Sequence, residues 1–171
     1  MNGELPLHPA IVHLPIGLAL IMPFLAAGIY FMVKTGRLAA GAWIIPVVLQ
    51  VLVVAASFAA MQTGEHEEDQ VEKVVAEEFI ETHEDAAKLF MFSAVLSLLV
   101  TAAGYFDLSL QNVIRMAAVA VLFVSAAAVL YAGKLGGELV YKHGAASAYG
   151  NVDQIMPVKK ASGHDEEEDD D

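Results

Sequence analysis

The sequence predicts an all-α fold: an antiparallel four-helix transmembrane bundle with an amphipathic extramembrane helix between spans two and three. Three observations predict it. Hydrophobic residues fill 57% of the 171 positions and the mean hydropathy is +0.56, more apolar than a soluble domain of this length. Four runs carry no Asp, Glu, Lys or Arg: Ala10–Val33, Leu38–Gln62, Leu89–Phe106 and Met116–Gly133. At about 1.5 Å per helical residue, with their flanks, each can cross a hydrocarbon core of about 30 Å. The connections after the first and third runs are short, which makes neighbouring helices antiparallel. The predicted spans cover about residues 10–33, 38–62, 86–107 and 112–134, within one membrane domain of residues 1–149.

The first span lacks a basic leader, is too long for an h-region and begins almost at residue 1, so it is expected to stay as an anchor and not to be cleaved as a signal peptide. It opens on Leu7-His8-Pro9-Ala10-Ile11-Val12-His13-Leu14-Pro15. Pro9 favours extended geometry at His8 and itself suits a first helical turn. Two helical residues five apart would diverge by roughly 140°, so His8 outside the helix is expected to let His8 and His13 converge.

Lys34 and Arg37 form the basic turn between spans one and two, and no basic residue precedes span one. The positive-inside rule then places both termini in the periplasm and the bundle in a bacterial inner membrane. Tyr30, Trp43 and Tyr105 would lie at the inner interface, Tyr131 and Tyr141 at the outer one.

Between spans two and three, Val71, Val74, Val75 and Phe79 recur at helical spacing among the ten acids from Glu65 to Asp85. This pattern predicts an amphipathic helix over the outer end of the bundle. Thr82 and Asp85 have capping-box spacing, with Asp in the Glu/Gln place, which suggests a helix restart with His83 at its head; a single unbroken rod into span three is the alternative. Gly136 and Gly137 are expected to end span four and fold the next segment back over the bundle. Residues 150–171, closing on His164 and seven acids, read as a disordered tail.

Without cysteine there is no disulfide, thiolate metal site, cysteine-held iron–sulfur cluster or thioether-linked haem. A net charge of −12 argues against nucleic acid and against anionic lipid as partners, while the apolar runs make the lipid bilayer the environment. No phosphate loop or nucleophile with its base occurs, and His83-Glu84 lacks the second histidine of an HExxH zinc motif. Polar midplane groups are few beyond Gln50, which argues against a transporter.

Alternating helix direction instead gathers His8, His13, Glu65, His66, His83, Glu138 and His143 at one face of the membrane. His66 and His164, set among acids, read as surface residues. The candidate metal ligands are His8, His13, His83, His143, Glu65 and Glu138, with His13 and His83 as the candidate axial pair for a haem.

The HPxxVHxP start at His8–Pro15, Thr63-Gly64-Glu65, His83, and GGELVYKHG at Gly136–Gly144 resemble a bacterial membrane family known as domain of unknown function 2231, over about Leu5 to Gly144. The resemblance implies four membrane helices and no settled activity. Relatives joined to Rieske-type or cytochrome domains suggest redox work by association.

Three readings follow. One is a b-type haem subunit passing electrons between membrane quinol and a periplasmic redox protein. Another is a non-haem site for a divalent transition metal, zinc, iron or copper, on imidazole and carboxylate, for storage, delivery or sensing. The third is a structural subunit of a membrane complex.

Overall fold

Small and large apolar side chains divide the surface of the long helices between them. Ala26, Val53, Ala94, Ala118 and Leu122 lie in the centre, while Phe24, Phe58, Phe92, Leu99 and Val124 point outward. That arrangement suits lipid, because helices pack in a membrane through small residues and close contact, not through expelling water. The computed structural model describes residues 6–106 and 109–150, so the expected acidic tail lies outside the described residues except for Gly150.

Short α1 (His8–Ile11) leads into α2 (His13–Lys34), followed by α3 (Ile44–Val71), α4 (Glu77–Ala103) and α5 (Gln111–Tyr141). The stretches His8–Lys34, Ala40–Val71, Glu77–Ala103 and Gln111–Tyr141 are each long and apolar enough to span a membrane. They pack as a ring, α2 on α3 and α5, and α4 on α3 and α5. The four-helix bundle is therefore as predicted.

Prolines set the first span's irregularities. Pro15 has no N–H to give Ile11, which explains the break at Val12 between α1 and α2. Pro23 sits inside α2, buried among its neighbours, where packed helices tolerate the missing bond. Pro46 falls in the first turn of α3, where no intrahelical donor is needed.

Four local expectations change. The amphipathic segment is helical but is no separate element: α3 runs on to Val71, α4 begins at Glu77, and only residues 72–76 turn. No proline lies between Gln62 and Val71, so the solvated acids there ride on the extension of α3. Of the segment's four apolar positions only Val75 is buried, with Ile80, against Leu139 and Ala145, and Val71 packs on them half-buried, whereas Val74 and Phe79 are exposed. No restart occurs at Thr82, whose hydroxyl donates back to the Glu78 carbonyl at 2.7 Å within an unbroken α4. The Gly136–Gly137 pair lies inside α5, which ends at Tyr141. The left-handed residue that ends the run is Gly144 (φ 75°). Trp43, expected at the interface, is fully buried.

Trp43 belongs to a lock at the bundle end opposite the histidines. Its indole Nε1–H donates to the Thr101 carbonyl at 2.9 Å. Arg115, 1% exposed, donates from Nε to the Gly104 carbonyl at 2.8 Å and from Nη2 to the Ala40 carbonyl at 3.3 Å. Its guanidinium lies 5.1 Å from the Trp43 ring centre. A Cβ on Gly104 would come within 2.9 Å of the indole nitrogen and 3.0 Å of Arg115 Cγ, so this position has to be glycine. The lock joins the entry to α3, the end of α4 and the start of α5.

Candidate metal centre at the histidine end

At the other end two imidazoles meet. The rings of His8 and His83 lie 6.3 Å apart, centre to centre, with their planes at 80°. Each is half-buried and each is seated on a different helix. His8 Nδ1 lies 2.8 Å from the Ala60 carbonyl of α3, and His83 Nδ1 lies 3.2 Å from the Ala132 carbonyl of α5. A carbonyl only accepts, so Nδ1 carries the proton in both rings. In a neutral imidazole the lone pair is then on Nε2. Thr63 agrees with this assignment. Its hydroxyl, 3.4 Å from His8 Nδ1, gives its proton to the same Ala60 carbonyl at 2.9 Å.

Each ring also lies against a glycine. A Cβ on Gly64 would approach His8 Cε1 to 3.2 Å, and one on Gly136 would approach His83 Cε1 to 3.0 Å. Glycine inside a helix costs about 1 kcal/mol relative to alanine. Here it makes room for an imidazole in both motifs, Thr63-Gly64-Glu65 and GGELVYKHG. Gly137, its neighbour in the second motif, has nothing within 4 Å of such a Cβ.

His8 is helical, the first residue of α1, and not held outside as Pro9 suggested. Its N–H and that of Leu7 are captured by the Glu67 carboxylate of α3. That outside anchor offsets the preference of a pre-proline residue for extended backbone. With both residues helical the two side chains diverge, and His13 is exposed. His143 lies in a second layer, its ring stacked on Phe79 at 3.7 Å. Glu138 pairs with Lys142 at 3.0 Å and lies 3.8 Å from Lys134. The Lys142 ammonium holds its carboxyl below the usual value against a smaller upward push from burial. Glu65 is exposed and accepts a hydrogen bond from Gln62 at 3.1 Å. Of the six residues singled out from sequence, the fold brings His8 and His83 together, one ring edge-on to the other. Among the described residues no three His, Asp or Glu side chains form a group able to hold a metal ion.

Sequence reasoning missed Glu67, Thr63 and the two ring-seating glycines. The glycines left a signal, since each interrupts an otherwise helical pattern. Glu67 left none among so many acids.

Four apolar antiparallel helices with an imidazole pair at one mouth define an integral membrane protein of the four-helix class. The family model described as "Predicted membrane protein (DUF2231)" matches residues 4–148. The chain belongs to that family. No curated protein and no solved structure matches it.

Proposed function

We propose that the protein is an inner-membrane electron-transfer subunit in which His8 and His83 hold a b-type haem at the periplasmic end of the bundle. The observation that carries this reading is the pairing itself. Two imidazoles from different helices present Nε2 lone pairs while both Nδ1–H groups are tied to backbone carbonyls. Ligating histidines usually have such an outer bond, which fixes the tautomer and orients the ring. Two imidazoles would be enough to hold a haem iron, whereas a bare zinc or copper(II) ion usually needs three or four protein ligands. The donor set fits the first requirement. With ring centres 6.3 Å apart, the two imidazoles would be near enough to hold one metal between them. When bound, haem supplies a one-electron couple. The chain's part is to hold the rings, exclude side chains at Gly64 and Gly136, and leave Nε2 of each imidazole as the atom that binds. Membrane quinol and a periplasmic redox protein are the matching donor and acceptor. The basic turn at Lys34 and Arg37 supports the sidedness.

A second reading is a bare transition-metal ion held between the same rings, favoured by how closely glycine backbones seat them: a single ion needs no slot for a macrocycle. Hemin titration of the detergent-purified protein, with metal analysis, separates the two. A six-coordinate low-spin spectrum lost in His8→Ala and in His83→Ala is the expected result. Hemin spectra indistinguishable from free hemin would overturn the haem reading. One equivalent of tightly bound metal without haem would put the bare ion in its place.

A further inference from the structure

Ala60, Thr63, Gly64 and Glu67 follow one another along α3 at helical spacing, so they form one stripe facing α1. The Ala60 carbonyl and Thr63 hold the His8 ring, Gly64 gives it room, and Glu67 grips the backbone. One carboxylate oxygen of Glu67 accepts the N–H groups of Leu7 and His8, the latter at 3.0 Å. Its other oxygen accepts the Tyr149 hydroxyl at 3.2 Å, from the 3-10 turn Ala145–Tyr149 that follows α5.

Helix α1 cannot set its own position. It has four residues, and its N-cap, Leu7, has no side-chain oxygen for the orphan N–H groups of the first turn. It joins α2 through Val12, but Pro15 removes the bond that would tie Ile11 into the longer helix. The placement of His8 is therefore imposed from outside, by the stripe on α3. Glu67 is the member of that stripe that holds the main chain. Its negative charge at the start of α1 also suits the helix dipole.

We infer that Glu67 is the positioning residue of the imidazole pair: it fixes the backbone of His8 so that the ring rests on Ala60 with Nε2 free, and it ties the segment after α5 to the same point through Tyr149. The inference rests on the reading of His8 and His83 as ligands. Its test separates the two ideas.

The full chain labelled with 15N-histidine, in detergent micelles, reports imidazole tautomers without any metal. In Glu67→Ala the His8 signals are expected to leave the fixed Nδ1–H form for the exchanging pattern of a free imidazole. His83, bound to Ala132 of α5, should keep its own and so certify the fold. Hemin, as the probe, should bind 10-fold to 100-fold more weakly, the usual cost of losing an outer-shell partner. Glu67→Gln retains an acceptor oxygen and should restore the His8 tautomer. An unchanged His8 spectrum in Glu67→Ala overturns the inference, as does release of His83 together with His8, which would mean general unfolding. If the wild type binds no hemin and yet Glu67→Ala frees His8 alone, the positioning role stands and the haem reading falls.

Discussion

The two ends of the bundle both place side-chain N–H groups on backbone carbonyls, yet they differ in what is left over. At one end the guanidinium of Arg115 and the indole of Trp43 give hydrogen bonds to Gly104, Ala40 and Thr101. Neither side chain has a nitrogen lone pair to offer, because both are donors only. At the other end His8 and His83 give one hydrogen bond each and keep an acceptor nitrogen. Both ends also rely on glycine where aromatic or cationic groups press against a helix, Gly104 at one and Gly64 and Gly136 at the other. The comparison teaches that similar packing devices leave no acceptor nitrogen at one end and two at the other. The identity of the donor makes the difference.

The largest effect is expected from replacing both imidazoles. His8→Ala with His83→Ala should abolish hemin binding while leaving resistance to unfolding by sodium dodecyl sulfate nearly intact. Arg115→Leu should do the reverse. It leaves the buried Gly104 carbonyl without its donor, a loss of roughly 1–3 kcal/mol, and should keep hemin affinity unchanged. Among the described residues no carboxylate pairs with Arg115, so the loss should depend little on salt. Loss of hemin binding in Arg115→Leu, with the helices still formed, would break the division between the ends.

A smaller effect sharpens the picture at the histidine end. Gly136→Ala puts a methyl 3.0 Å from His83 Cε1. The ring has to give by a few tenths of an ångström, which strains its bond to the Ala132 carbonyl, and about a tenfold loss of hemin affinity is expected. Gly137→Ala meets nothing. It should bind hemin like the wild type and gain a little helix stability. Equal behaviour of the two variants would show that the glycine serves the helix and not the ring.

These pairs also show what the sequence could reveal. The bundle was legible because charge-free runs and short connections leave few alternatives. Convergence of histidines at one end followed from helix direction alone. Which of them meet did not, because that depends on rotation about each helix axis. His13 and His8 differ by five residues, and whether they share a face turns on one residue's backbone. That backbone is set by Glu67, some sixty positions away and indistinguishable in sequence from its acidic neighbours. Arg115 was unreadable for a similar reason: a basic residue at the start of a span normally reaches out to water, and only the packing of Trp43 and Gly104 shows that this one turns inward.

The smallest effect tests the link between the chain's last described turn and the histidine mouth. Burial, then the Glu67 charge and hydrogen bond, push the Tyr149 phenol from 10.0 up to about 12. The raised value means that the folded state prefers the neutral phenol. Its contribution to stability is whole below the unfolded value near 10 and is lost as pH rises through about 12. Tyrosinate absorbance during an alkaline titration should therefore include a late phase that Tyr149→Phe removes. Glu67→Gln takes away the charge but not the burial, so that phase should move only part of the way down. If it does not move at all, burial alone holds the phenol neutral. The contact between Tyr149 and Glu67 would then be passive, and the segment after α5 would have no hold on His8.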